Sequence, residues 1–291
     1  MVVKASIITF TAIVLLSCQP VSAEQGESSA QTVTGSPVVE QVAVQDTAGM
    51  TIATRFAPPP GFRRMPLPTN SFGMFLRELP LKPNGSKVFH YDGQPKYRQD
   101  VHSAVIDMDV GTRDLQQCAD AVIRLRAEYF WLEGAYDEIN FQFTNGFPAA
   151  YRRWRNGERI QVAGNNVTWI PRAQQDTSYQ QFRSYLNMVF AYAGTLSLAN
   201  ELNVRPLAEI KIGDVFVQGG SPGHAVIVVD LVRSESSDEV LVLLAQSYMP
   251  AQDIHVLKNP RRADNWYVIT KSTEVIRTPE WTFSAADLKH F

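Results

Sequence analysis

The residue with the clearest chemical potential in this sequence is His224. It follows a glycine-rich turn, residues 219–223, and opens an almost wholly apolar stretch from Ala225 to Asp230. Such a stretch predicts a strand covered on both faces, so His224 stands where a loop enters the protein interior. An imidazole in that position can act as a general base. The alternative interpretation is that His224 only hydrogen-bonds the adjoining loop.

A second apolar run, beginning at Val240, predicts a strand that returns beside this histidine. It ends in an amide and two hydroxyl side chains, Gln246, Ser247 and Tyr248. If Val232 pairs with Val240, Gln246 lies diagonally across from His224 on the same face and is the predicted orienting group. A slip of one residue would put Ser247 there instead. The two hydroxyl residues are also predicted to bind a ligand.

Cys118 is the candidate nucleophile. It belongs to a stripe with the spacing of a helix core, formed by Leu115, Cys118, Val122, Leu125 and Tyr129. Free cysteine is among the most buried residue types, which favours a packing role. A cysteine in the first turns of a helix is instead activated, because the helix N-terminus lowers the pKa of a thiol. Both interpretations stay open, and a hydroxyl nucleophile from Thr195 or Ser197 would need stronger activation than a thiol.

The order of these elements resembles the papain-like hydrolases of bacterial envelopes, the NlpC/P60 and CHAP groups. The resemblance covers about residues 195–250, with a helix, a Gly-Asp strand, a Gly-His strand and a strand ending in a polar side chain. It implies a cysteine nucleophile at a helix start, with His224 as base and Gln246 as orienting group, and Cys118 on the earlier helix could substitute for that cysteine. The sequence departs from the pattern at residues 192–197, where a cysteine would be expected and none is present.

A broader resemblance rests on residues 116–129, 143–146, 185–190, 213–230 and 244–252. These segments are similar to a family of exported bacterial proteins catalogued as domain of unknown function 4846. The similarity spans about Met50 to Phe291. It implies a bacterial, single-domain envelope protein, and it supplies no established activity, cofactor or catalytic residue.

Composition excludes several function classes. The chain has 291 residues, 45% of them hydrophobic, and a formal net charge of −2, which suits a packed globular protein and not a nucleic-acid-binding one. The remaining histidines, His90, His102, His255 and His290, show no zinc-ligand spacing, so we expect no metal. The glycine turn before His224 lacks a P-loop lysine, and no cofactor is expected.

The N-terminus predicts export. Lys4 and the apolar residues 5–17 have the form of a signal peptide, and two cleavage patterns compete. Cys18 ends a lipobox-like sequence and would carry lipid, whereas Ala23 before Glu24 fits ordinary cleavage. We predict a signal over residues 1–23, a disordered tether over 24–48 and one domain over 49–291. The expected location is the bacterial cell envelope, lipid-anchored to a membrane and facing the periplasm. Cys118 would then be the one thiol left in the domain, with no internal disulfide partner.

The elements that position these residues predict an α+β fold. Strands are expected over residues 101–110 and 139–143 and around Val215, Val226, Val242 and 266–269, with helices from residue 112 or 114 to 132 and from 178 to 202. Helices followed by strands favour helices packed on a curled antiparallel sheet with a papain-like, NlpC/P60-like core.

The sequence therefore leads to two functional hypotheses. The first is a cysteine hydrolase or acyltransferase acting on an amide or ester of an envelope peptide or glycan. The second is a non-catalytic binding protein on the same scaffold. Asn145, in the turn at residues 143–146 beside several aromatic residues, is a further candidate for ligand binding.

Overall fold

The computed structural model describes residues 45–291. Its helices are α1 (Ile52–Arg55), α2 (Phe72–Arg77), α3 (Cys118–Leu132), α4 (Tyr151–Arg155), α5 (Tyr179–Tyr192) and α6 (Thr195–Glu201). Its strands are β1 (Phe62–Arg64), β2 (His102–Val105), β3 (Asn140–Gln142), β4 (Pro148–Ala150), β5 (Glu158–Ala163), β6 (Asn166–Pro171), β7 (Asn203–Val204), β8 (Val215–Gln218), β9 (His224–Ser234), β10 (Val240–Gln246), β11 (His255–Leu257), β12 (Tyr267–Ile269), β13 (Val275–Arg277), β14 (Thr282–Ser284) and β15 (Leu288–His290). The predicted signal, with Cys18, and most of the predicted tether lie outside the described residues.

An antiparallel sheet forms the centre of the fold. Its strands follow the order β2-β11-β10-β9-β8-β15-β7, while β1 also pairs with β9 and β12 with β10. The sheet is open, and shorter hairpins pair β3 with β4, β5 with β6 and β13 with β14. The predicted α+β class with an antiparallel sheet is confirmed. No helix within residues 45–291 is both long and apolar enough to cross a membrane.

Strand β9 is buried on both faces, as its apolar sequence predicted. Ala225, Ile227 and Val229 pack into a core that includes residues of α3 and α5. Val226 and Val228 point the other way, into a second core with residues of β13, β14 and β15. This two-sided burial explains why β9 reads as a continuous apolar run instead of alternating with polar residues.

The predicted register between β9 and β10 is wrong by one residue at its start. Val240 pairs with Arg233, and Leu241, not Val240, pairs with Val232. An irregularity between Leu243 and Leu244 then shifts the register, so that Leu244 faces Val228. From Leu244 onward the strands therefore pair in the predicted register, which places Gln246 diagonally across from His224.

Other boundaries also differ from the prediction. The first long helix begins at Cys118, because the side chain of Asp120 accepts a hydrogen bond from the backbone N–H of Gln117 and caps the helix there. The predicted helix over 178–202 is two helices, α5 and α6, separated at residues 193–194. The predicted strand over 101–110 is confined to β2 and one further antiparallel bridge, in which Ile106 pairs with Leu81.

A buried charge cluster holds β1 and α2 against β9. Asp230, fully buried, accepts hydrogen bonds from Nε of Arg64 at 2.7 Å and from Nε of Arg77 at 2.9 Å. Its Oδ1 also accepts the N–H of Leu231 at 2.8 Å. The carboxylate is therefore satisfied by two cations from segments more than 150 residues away in sequence.

We expect Asp230→Asn to lower the free energy of unfolding by about 3 kcal/mol, because it leaves two partly buried guanidinium groups without a counter-charge. Urea denaturation followed by circular dichroism measures this change. Asp238→Asn is the control, since Asp238 pairs with Lys271 on the surface and both side chains are exposed. Equal effects of the two substitutions would contradict a special role for the buried cluster.

Candidate active site

A cleft of about 470 Å³ lies beside the start of α3 and the start of β9. Chain segments that are distant in sequence form its wall, and the lining residues that matter most below are Cys118, Asp120, Thr195, His224, Tyr248 and Trp281. The volume is within the range of small-molecule sites. The sulfur from the upstream helix and the imidazole from the hairpin therefore face one shared space.

A chain of polar contacts fixes the orientation of the imidazole. Nε2 of His224 lies 2.8 Å from Oε1 of Gln246, and Nε2 of Gln246 donates to Glu280 at 2.7 Å. Glu280 in turn pairs with Lys96 at 2.8 Å. Because the amide nitrogen of Gln246 is turned toward a carboxylate, its oxygen is turned toward His224.

His255 completes the assignment of protons in this chain. Its Nδ1 lies 2.9 Å from the carbonyl oxygen of Asp253 and carries the hydrogen, so its Nε2 is an acceptor. That Nε2 lies 3.4 Å from the amide nitrogen of Gln246. The oxygen of Gln246 can therefore only accept from His224, whose Nε2 carries the proton. Nδ1 of His224 is the nitrogen left with a free lone pair, as a general base requires.

The imidazole of His224 is packed among aromatic rings. Its centre lies 4.9 Å from the ring of Tyr248, 5.2 Å from Trp281 and 5.9 Å from Phe283. This burial lowers the pKa of His224 to about 4, although the contact with Gln246 and the charge of Glu280 raise it. The ring is therefore neutral at physiological pH.

The thiol of Cys118 sits at the first residue of α3. Backbone amides of Ala225, Ala119 and Cys118 itself stabilise the thiolate and lower its pKa. Burial and the neighbouring carboxyl group of Asp120 outweigh them and raise the pKa to about 11. Desolvation therefore has a larger effect on the pKa of this thiol than the backbone amides at the helix N-terminus.

Asp120 is itself unusual. Its Oδ2 accepts the N–H of Gln117, but its buried Oδ1 has no hydrogen-bond partner among residues 45–291. Burial raises the pKa of this carboxyl group well above its usual value.

The glycine turn lets the backbone approach the cleft closely. A Cβ atom on Gly223 would lie 2.4 Å from the Oγ1 of Thr195 and 2.5 Å from the carbonyl oxygen of Gly220. The hydroxyl of Thr195 also donates to that carbonyl oxygen at 3.2 Å. The start of α6 and the turn before β9 are therefore locked together, and only glycine fits at position 223.

The structure brings Cys118, His224 and Gln246 to one place, with Tyr248 beside them. In the described part of the chain, no hydrogen bond joins the thiol to the imidazole. Catalytic hydrogen bonds are often long before substrate binds and shorten in the complex. The arrangement can support transfer of a proton from sulfur to Nδ1, followed by attack of the sulfur on a carbonyl carbon.

The other predicted residues lie elsewhere. Ser247 is buried, and its hydroxyl contacts the carbonyl oxygens of Gln116 and Gln252, so it ties the strand end to the segment before α3. Ser197 caps α6 by accepting the N–H of Gly194. Asn145 lines a separate depression near the β3–β4 turn, where its side chain donates to Asn165.

Sequence reasoning did not assign roles to Lys96, Glu280 and Trp281. These residues come from irregular segments far from the hairpin, and no periodic pattern links them to it. Their one signal is a local Pro-Glu-Trp sequence between two short strands, which is too common to assign a role. No three His, Cys, Asp or Glu side chains of residues 45–291 group as metal ligands.

Comparison with protein families identifies the chain. Residues 52–290 match the model of the family described as domain of unknown function (4846), and the chain belongs to that family. No curated protein and no solved structure matches it at a significant level. The family assignment covers every residue of the cleft and of the polar chain behind it.

We expect His224 to remain neutral, with its proton on Nε2, down to about pH 4. Long-range ¹H–¹⁵N correlation spectra of the imidazole report both the tautomer and the titration. The unfolded chain takes up this proton near pH 6.5, so this imidazole contributes stability that is complete above pH 6.5. That contribution is lost as the pH falls toward about 4.

Two variants that should shift the pKa of His224 in opposite directions test the chain of contacts that runs from His224 through Gln246 and Glu280 to Lys96. Glu280→Gln removes a charge that raises the pKa of His224, so the pKa should fall further. Lys96→Met removes a charge that lowers it, so the pKa should rise. Shifts in the same direction, or no shift in either variant, would show that this chain does not act on the imidazole.

Proposed function

We propose that the protein is a cysteine hydrolase or acyltransferase in which Cys118 is the nucleophile, His224 the base and Gln246 the orienting residue. The observation that supports this most directly is the shared cleft, with the base nitrogen of His224 left free by the Gln246 contact. The proposal extends to an amide or ester bond as the substrate linkage. It rests on geometry within this chain, because the family has no assigned activity.

The proposed reaction begins with proton transfer. Nδ1 of His224 takes the proton of the Cys118 thiol while the sulfur attacks the carbonyl carbon of the substrate. The amides of Cys118, Ala119 and Ala225 converge near the sulfur and are the candidates for stabilising the oxyanion. The imidazolium then gives its proton to the departing amine or alcohol, and a thioester remains. Water, or an amine or hydroxyl acceptor, releases the acyl group and restores the thiol.

The pKa values decide how this step would run. The pKa of the thiol, about 11, and that of the imidazole, about 4, differ by about seven pKa units. That corresponds to a cost on the order of 10 kcal/mol before the attraction between the two charges is counted. A standing thiolate–imidazolium pair is therefore not populated at rest, and proton transfer has to accompany attack on a bound substrate.

The similarity to papain-like hydrolases supports the order of the groups. A nucleophile at a helix start precedes a histidine at a strand start and a polar residue on the next strand, and this chain has that order. The helix that bears the thiol is α3, not the helix directly before β8. We include a papain-like core in the proposal, with the nucleophile on an earlier helix than in those hydrolases.

A second candidate function is ligand binding without chemistry. The raised thiol pKa and the missing thiol–imidazole hydrogen bond in the described chain favour it. Tyr248 and Trp281 flank the cleft and suit a peptide or glycan, because aromatic rings offer a large contact area at a small entropic cost. In this alternative His224 is a structural residue that anchors the aromatic wall.

Acylation by 4-nitrophenyl acetate separates the two functions. The full chain carrying Cys18→Ser keeps Cys118 as its one thiol. At neutral pH we expect an acetyl thioester on Cys118, detected by mass spectrometry of the intact protein. His224→Gln should slow its formation by about a hundredfold, because the base is lost. Cys118→Ala should form no thioester.

His90→Gln is the matched control, because His90 does not line the cleft. It should leave the acylation rate unchanged. Acylation that is insensitive to His224→Gln, and that rises with the thiolate fraction up to about pH 11, would show an ordinary buried thiol. That result would favour the binding function.

We also propose that the protein acts in the bacterial cell envelope, held to a membrane through lipid on Cys18 and facing the periplasm. The apolar residues 5–17 and the lipobox-like sequence that ends at Cys18 support this placement. The proposed partners are the membrane itself and an envelope peptide or glycan.

Expression of the full chain in a bacterium tests the anchor. We expect mature protein in the membrane fraction with an acylated Cys18 as its first residue, identified by mass spectrometry. Cys18→Ala should release the protein from that fraction. An unmodified mature N-terminus at Glu24 in the unsubstituted protein would show ordinary cleavage after Ala23 instead.

A further inference from the structure

A second depression, of about 840 Å³, lies apart from the catalytic cleft and shares no lining residue with it. It is bounded by residues 84–87, the start of β2 and the loop over residues 258–265. Its volume is near the upper end of the range for small-molecule sites. Nothing in the proposed cysteine chemistry uses it.

The charged side chains that line this depression have one sign, while Asp100 and Asp264 lie beyond its lining. Four cationic side chains line it, Lys87, Lys258, Arg261 and Arg262, and its lining residues include no aspartate or glutamate. The chain as a whole carries a net charge of −2, so this concentration of positive charge is local. A concave surface with one sign of charge raises the local concentration of oppositely charged ligands.

Three of these cations are available to a ligand. In the described chain, the side chains of Lys87, Lys258 and Arg261 form no salt bridge, whereas Arg262 is bound to Asp264. Burial lowers the pKa of His102 at the wall of the depression, and the charges of Lys258 and Lys96 lower it further. An anion bound there would neutralise cations that now face solvent.

Hydrogen bonds hold the loop over residues 258–265, which carries Lys258 and Arg261. The side chain of Asn259 donates to the carbonyl oxygen of Trp266 at 2.6 Å and accepts the N–H of Arg261 at 2.9 Å. The backbone N–H of Lys258 donates to Val101 at 2.9 Å. The loop is thus built before any ligand arrives, which reduces the entropic cost of binding.

The remaining lining residues indicate the rest of the ligand. Most of the lining amides and hydroxyls already bond within the chain, those of Gln45, Ser86, Gln99, Ser103 and Asn259. The side-chain amides of Asn84 and Asn265 make no hydrogen bond among residues 45–291 and are open to a ligand. Amide and hydroxyl groups bind ligand hydroxyls, and an arginine fork suits phosphate oxygens.

We propose that this depression binds a small hydroxylated molecule that carries phosphate, of the sugar-phosphate class. Lys258 and Arg261 contact the phosphate groups, and the side-chain amides of Asn84 and Asn265 contact the hydroxyls. Three available cations match a ligand with two or more negative charges. This site is separate from the cysteine chemistry, and its test does not depend on Cys118.

Isothermal titration calorimetry of the full chain tests the proposal with three probes at physiological salt. They are fructose 1,6-bisphosphate, inorganic phosphate and fructose. We expect the bisphosphate to bind saturably and more tightly than phosphate, with no measurable binding of fructose. Lys258→Gln and Arg261→Gln should each weaken the bisphosphate affinity about tenfold, and both side chains can change without loss of a salt bridge.

Arg63→Gln is the matched control, because it removes the same charge from an exposed position outside the depression. It should leave the affinity unchanged. Equal weakening by Arg63→Gln would indicate a general effect of net charge and would overturn the proposal. Binding of phosphate as tight as that of the bisphosphate would overturn the assignment to sugar phosphates. Amide chemical shifts of residues 258–265 locate the binding, and shifts confined to other residues would also overturn it.

Discussion

The contact between His224 and Gln246 organises the candidate active site. It joins the ends of β9 and β10 at 2.8 Å, inside a sheet covered on both faces. The amide nitrogen of Gln246 donates a hydrogen bond to Glu280, so the amide oxygen faces His224 and accepts the proton on its Nε2. Because the donor and acceptor roles follow from a buried ion pair with Lys96, the imidazole has one tautomer available without any ligand. The two strands fix the position of the imidazole, and the Lys96–Glu280 ion pair fixes which of its nitrogens carries the proton.

Much of this arrangement could be predicted from hydrophobic pattern alone. The two apolar runs locate β9 and β10, and their burial on both faces accounts for the buried His224 and Gln246. The register was predicted one residue away at Val240, yet Gln246 still meets His224 because of the shift between Leu243 and Leu244. A strand that is apolar on both faces carries little information about register, since a slip exchanges one apolar residue for another. The contact between Gln246 and His224 was therefore predictable, and the irregularity that allows it was not.

The contacts of His224 that the sequence did not predict come from loop residues far away in the chain. Glu280, Lys96 and Trp281 act on His224 from segments without periodicity, and their contacts are decided only when the sheet is assembled. The start of α3 was misplaced for a related reason. Asp114 has the character of a helix cap, but its carboxylate accepts the N–H of Ala251 and binds the segment to another loop. Asp120 caps the helix instead, which puts Cys118 at the first helical residue.

Burial then sets the chemistry of both groups in opposite directions. The packing that positions His224 lowers its pKa, and the packing that positions Cys118 raises the pKa of the thiol, so both are neutral at rest. In the proposed reaction, a substrate that enters the cleft brings a carbonyl group toward the amides at the start of α3. Negative charge that develops on that carbonyl is stabilised by donors already in place, which lowers the cost of moving the thiol proton to His224. Under the proposed function, a buried neutral thiol of this kind reacts only when an acyl group occupies the cleft, so its reactivity depends on the substrate.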